Sequence, residues 1–293
     1  MSYHSLKDIL EKCKQEKIEF WEAILADDMN ERAVSKEASM DKMKELWSAI
    51  VFSGESYNKS EHSKSGLAGG DGGLMEEYCK TEDTLCEGFV ASVIAQALQI
   101  GESNACMKRI VAAPTAGASG VLPAVLLPLF QKKGVSEDKI IESLYVSAGI
   151  GQVIAQRAYI AGAAGGCQAE VGSASAMAAG SLVHIKGGNP EQISNAVAMT
   201  LKNLLGLVCD PVAGLVEVPC IKRNVIGAMN ALASADMALA GIGSRIPADQ
   251  VIDAMKAVGD KMDESLRETS MGGLAATPAA QEIVNKLLDK RRK

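Results

Sequence analysis

Residues 158–185 carry a single charged side chain, Glu170, among alanines, glycines and serines. So long a run of small side chains cannot fill a core by bulk, so its backbone has to lie close to its neighbours. The whole chain shares this bias, with 42 Ala and 28 Gly among 293 residues against four Phe, two Trp and five Tyr. Alanine gives up little side-chain entropy on ordering, which favours closely packed helices. A β-sandwich would draw on β-branched and aromatic residues instead. Apolar residues make up 47% of the chain, too many for a disordered one. The expectation is an all-α fold: a single, mainly α-helical domain over residues 1–293 with Gly-rich loops, long enough to bury a substantial core.

Two uncharged stretches bear on the membrane question. Residues 110–130 have no charge, but Pro114, Pro123, Pro128 and two glycines interrupt them. Residues 158–185 are too rich in Ala, Gly and Ser. Both read as buried core rather than a spanning helix. Thirty basic against 36 acidic residues leave a net charge of −6, with no electrostatic footprint for nucleic acid or anionic lipid. The start, Met1-Ser2-Tyr3-His4, lacks the basic-then-apolar layout of a signal peptide. The seven cysteines are odd in number and so do not read as a disulfide framework. A cytoplasmic protein without membrane or nucleic-acid partners is expected.

Apolar spacing predicts helices over 5–28, 37–52, 82–100, 121–132, 136–158, 168–186, 190–205, 222–241 and 247–266. Asn189-Pro190 and Ile246-Pro247 are start signals, because proline is tolerated at the first helical position. Residues 53–73, rich in Gly and Ser, predict a loop. It also holds His62, Lys64 and Asp71, so it reads as a site loop as readily as a linker. The charged tail from Lys286 to Lys293 is expected to fray.

Three cysteines stand apart from the other four. Cys167 follows the pair Gly165-Gly166 at a predicted helix start, where free N–H groups and the helix dipole favour a thiolate. Cys209 and Cys220 bracket a Pro- and Gly-containing loop, and thiolates are the usual iron–sulfur ligands. Their separations match no standard zinc pattern and there is no Cys-x-x-Cys. By spacing alone, three buried free thiols are the better reading. His62 is the histidine to consider for catalysis; His4 reads as exposed and His184 as a helix C-cap. The Pro114–Gly120 loop, leading into a helix at Val121, offers an anion site or simply a tight turn. Glu170 shares a helix face with Cys167, or merely favours the dipole. There is no Walker loop, no Rossmann fingerprint and no His-Glu-x-x-His.

Several segments together resemble the iron–sulfur-dependent L-serine dehydratases. They are Gly166-Cys167-Gln168-Ala169-Glu170-Val171-Gly172, Cys209-Asp210-Pro211 running to Glu217-Val218-Pro219-Cys220, and Ala113-Pro114-Thr115-Ala116-Gly117-Ala118-Ser119-Gly120. His62-Ser63-Lys64-Ser65-Gly66-Leu67, Gly69-Gly70-Asp71-Gly72 and Glu268-Thr269-Ser270-Met271-Gly272-Gly273-Leu274-Ala275 fit as well. The resemblance covers nearly the whole chain and reverses the reading of the cysteines. It implies a [4Fe–4S] cluster on Cys167, Cys209 and Cys220, with a fourth iron free of protein thiolate and open to substrate. It also implies a separate β subunit within a homo- or hetero-oligomer, because no fused regulatory domain is present. The chain ends Asp289-Lys290-Arg291-Arg292-Lys293, without the near-terminal Cys that some single-chain members place in the active site.

The implied reaction takes L-serine to pyruvate and ammonia, the open iron acting as Lewis acid on the hydroxyl. His62 and Lys64 are the bases this chain offers, unless the partner supplies one. Thr115 and Ser119 are expected to grip the substrate carboxylate. No lysine sits in a motif that suggests a Schiff base, so no pyridoxal phosphate is expected. Two alternatives remain: an iron–sulfur cysteine desulfidase, and a non-catalytic iron–sulfur redox sensor.

Overall fold

The computed structural model describes residues 2–81 and 83–292. Helices α1 (Leu6–Glu16), α2 (Phe20–Arg32), α3 (Lys36–Glu55), α4 (Asp71–Cys79), α5 (Gly88–Ala105), α6 (Val121–Lys133) and α7 (Glu137–Arg157) make up the first half. The second holds the short turn α8 (Gly162–Gly165), then α9 (Cys167–Ile185), α10 (Pro190–Leu204), α11 (Cys220–Leu239), α12 (Ala248–Lys261) and α13 (Pro278–Arg292). Among the described residues the only β-pairing is an isolated parallel bridge between Cys209 and Arg267, so the fold is all-α.

The small-residue run forms the axis of the molecule. Helix α9 is buried along its length except at Glu170 and Ile185, with α6, α7, α10 and α11 packed around it. Its glycines set the approach distances. A Cβ at Gly180 would collide with Ile150, and one at Gly227 of α11 would stand 2.9 Å from Cγ1 of Val171. Two of the buried serines bond across these close contacts. Ser175 Oγ donates to the Gly227 carbonyl (2.6 Å) and Ser181 Oγ to that of Ser143 (2.7 Å).

The helix expected over 5–28 is broken in two. Lys17 adopts a left-handed conformation (φ 56°) that caps the Cys13 carbonyl, and Glu19 with Glu22 forms a capping box that restarts the chain as α2. Apolar periodicity survives such a break, so spacing alone runs through it. Helix α4 begins within the stretch expected to be all loop, its first amides capped by the Glu102 carboxylate through Asp71 N (2.7 Å) and Gly72 N (3.1 Å). Helix α5 starts at Gly88, later than expected, and the proposed start at Glu82 lies outside the described residues. The 247–266 element stops at Lys261. The tail is ordered as α13 through Arg292, packed on the turns at 212–214 and 273–276; Lys293 lies outside the described residues.

His184 is not a cap either. Its ring is 3% exposed, with Nε2 3.0 Å from Glu142 and Nδ1 3.7 Å from Glu19. The last carbonyls of α9 are taken instead by the amides of Lys186 and Gly187. No helix among the described residues is long and apolar enough to cross a membrane.

Candidate active site

Cys167 and Cys220 are the first residues of α9 and α11, so each sulfur sits where a helix presents unpaired N–H groups and its positive end. Gly166 makes the start of α9 feasible. At φ +76° its missing side chain leaves room for the Met262 thioether and the Leu207 carbonyl. Gln168 then fastens the turn, its N–H donating to Leu207 O (2.9 Å) and its Oε1 accepting from Gly206 N (2.9 Å). Cys209 lies in an extended segment pinned on both sides, its N–H donating to Leu266 O (2.8 Å) and its carbonyl accepting from Glu268 N (2.7 Å).

The three thiols are buried, none is in a disulfide, and each feels the others. The Cys209 thiol donates toward the Cys167 sulfur; that hydrogen bond and the nearby Arg223 guanidinium hold Cys167 below the ordinary thiol range. The same hydrogen bond, then burial, pushes Cys209 far up, and burial together with charge on Cys167 raises Cys220 to about 12. Without an added cation the site favours the thiolate at Cys167 and disfavours it at Cys209 and Cys220. Three thiolates at this place require positive charge between them, which is what an iron–sulfur cluster brings. The donor set therefore fits such a cluster.

A second wall comes from the 113–120 loop. Thr115 Oγ1 donates to the Glu170 carboxylate, and a Cβ on Gly117 would stand 2.7 Å from Glu170 Oε1. Burial, and then the charge of Glu268, raise the pKa of Glu170. Asn224, 1% exposed, ties this loop to α11. Its Nδ2 donates to the carbonyls of Gly117 (2.8 Å) and Cys220 (2.9 Å), and its Oδ1 accepts from Gly120 N (2.9 Å). The N-termini of α6, α9 and α11 thus converge. Ser119 is buried at the start of α6, while Thr115 is half-buried with its proton directed at Glu170.

The third wall is the loop of residues 56–70. Ser63 Oγ (2.8 Å) and Ser65 Oγ (2.6 Å) both donate to the buried Glu217 carboxylate, three residues before Cys220. His62 and Lys64, on either side of Ser63, are exposed, with the His62 ring backed by Gly69. Sequence reasoning therefore named residues from all three walls. It quoted Asp210, Glu217 and Glu268 within longer segments without giving them a role, and did not single out Arg223 or Asn224, though these residues hold those walls together. Arg223 and Asn224 lie one helical turn past Cys220, a spacing that could have marked them. Ala213, Glu268 and Ser270 adopt left-handed backbone at φ 56°, 65° and 58°, a local strain concentrated on the loops around Cys209.

Fold and site together define an all-α protein with a buried three-thiol centre where helix N-termini meet. Over residues 15–275 the chain matches the family described as serine dehydratase alpha chain, and it belongs to that family. It is 44% identical over 285 residues to the probable L-serine dehydratase, alpha chain, of Bacillus subtilis (strain 168), covering 97% of this chain and 95% of that one. The protein of the same description from Latilactobacillus sakei is 57% identical over 190 residues, 65% of this chain and 91% of that one. The L-serine dehydratase, alpha chain, of Peptoniphilus asaccharolyticus is 40% identical over 281 residues, 96% of each.

Proposed function

We propose that this chain is the catalytic α subunit of an L-serine dehydratase that converts L-serine to pyruvate and ammonia. In this reading Cys167, Cys209 and Cys220 hold a [4Fe–4S] cluster. The observation that carries it is the meeting of three buried thiols, two of them at helix N-termini, in a chain of the serine dehydratase alpha family. When bound, such a cluster supplies a Lewis-acidic iron that makes the serine hydroxyl a better leaving group.

The chain's own residues would do the rest. The converging helix N-termini attract the substrate carboxylate, with Ser119 and Thr115 beside it. His62 or Lys64, on the loop moored to Glu217, removes the Cα proton. The Cα proton and the hydroxyl leave together as water, and the resulting enamine tautomerises to an imine that water hydrolyses to pyruvate and ammonia. The description of these relatives as alpha chains supports a separate β chain in the working assembly.

The test is anaerobic purification, measurement of iron and sulfide, and assay of pyruvate from L-serine and L-cysteine before and after exposure to air. The expected result is a brown protein, active on L-serine and inactivated by oxygen, with Cys167→Ala losing iron and activity together. A colourless chain active in air would overturn the cluster, and faster turnover of L-cysteine would overturn the substrate. Iron without turnover, even after a β chain is supplied, would leave a sensor rather than an enzyme. For His62→Ala, unchanged turnover with the cluster intact would remove His62 as the base.

A further inference from the structure

Arg223 touches all three cysteine-bearing segments at once. It stands three residues past Cys220 on the first turn of α11. Its Nη1 donates to the carbonyl of Val208 (2.7 Å), and its Nη2 lies 2.8 Å from Oδ1 of Asp210. Those two residues flank Cys209. The guanidinium also lies close enough to the Cys167 sulfur to favour its thiolate. Its side chain is 15% exposed and that of Asp210 only 3%.

Asp210 extends the arrangement outward. Its Oδ2 accepts from Leu274 N (2.8 Å), and Gly273, at φ +58°, approaches so closely that a Cβ there would collide with the carboxylate. The segment from Gly272 to Ala275 is thereby seated against the same centre.

We propose that Arg223 is the positioning residue of the three-thiol centre: one guanidinium, based one turn past Cys220 and fastened to the residues on both sides of Cys209, that fixes the spacing of the cysteine segments and places a positive charge beside them. The inference rests on the cluster reading above. The planar fork matters because its acceptors are a carbonyl and a carboxylate lying in different directions. A lysine would carry the charge but could not hold that geometry. With Nη1 on the Val208 carbonyl, Nη2 beside Asp210 and its side chain mostly buried, Arg223 is turned toward the protein.

The experiment compares anaerobically loaded wild type with Arg223→Gln, Arg223→Lys and Asp210→Asn. Its readouts are iron and sulfide per chain, the rate of iron loss to a chelator, and the midpoint potential of the cluster. Circular dichroism reports whether each variant keeps the helical fold. Partners that orient metal ligands are generally worth about 10–100-fold in metal affinity. Arg223→Gln should therefore lose iron faster by that order, with a lowered potential because a positive charge beside the sulfurs is gone. Arg223→Lys should fall between, and Asp210→Asn should also lose iron faster with Arg223 in place. Retention and potential equal to wild type in both folded Arg223 variants would overturn the inference while leaving the cluster reading intact. If Arg223→Gln does not fold, wild-type behaviour of Arg223→Lys and Asp210→Asn overturns it equally. A wild-type chain that takes up no iron would overturn the cluster reading itself, and the inference with it.

Discussion

The hydroxyl of Ser63 donates to Oε2 of Glu217 over 2.8 Å, joining two loops 154 residues apart in the chain. Through that bond, and its twin from Ser65, a Gly- and Ser-rich segment becomes a wall of the cysteine site. Glu217→Ala should release the loop and take the shared acceptor from two hydroxyls, the buried Ser63 and the half-buried Ser65, with a stability loss of about 1–3 kcal/mol. Limited proteolysis is the check: cleavage within 60–68 should appear in the variant and be absent from wild type. Equal resistance would mean the loop is held by something else.

Asn224 makes three hydrogen bonds from a fully buried position, one to each of Gly117, Gly120 and Cys220. Asn224→Ala would leave a buried amide and two buried carbonyls short of partners, at a cost of about 2–3 kcal/mol. Urea unfolding of the cluster-free chain measures this without the metal. A loss below half a kcal/mol would show that the loop and helix hold their places unaided.

Gly180 tests the close approach of α9 and α7. Its missing side chain admits Ile150, with Val146 and Ile193 beside it. Gly180→Val should overpack the core and cost about 1–3 kcal/mol, read as a lowered melting temperature. A variant as stable as wild type would mean the helices can move apart freely.

The pH dependence of stability follows from His184. Burial lowers its pKa below the ordinary value of 6.5, against the opposing pull of Glu142. The folded state therefore prefers the neutral ring. The stabilisation it brings is present above pH 6.5 and is lost as the pH falls through the lower folded value. Urea midpoints taken downward from pH 7.5 should fall in wild type and fall less in His184→Gln. Parallel curves would show that other groups govern the acid limb.

Much of the helical layout can be read from apolar spacing, because a helix that buries one face repeats its apolar residues every three or four positions. Helices α6, α7, α9 and α10 begin and end within a residue or so of that expectation. The breaks are less legible. Lys17 takes a left-handed conformation that glycine more often occupies, and a capping box headed by glutamate is an uncommon signal. The order of α13 depends on surfaces it meets only after folding, since its last four residues are all charged.

The sequence by itself determined the class of fold and the chemical character of the centre. A chain so rich in Ala and Gly closes its core only by bringing helix backbones together, and cysteines at helix starts are disposed to bind as thiolates. Tertiary structure alone decided which polar residues hold that centre. Arg223 reaches Val208, Asp210 and Cys167, and Glu217 reaches Ser63, because folding brings together segments far apart in the chain. Helical periodicity reports on neighbours one turn away. It carries no information about a hydrogen bond whose two ends are 154 residues apart.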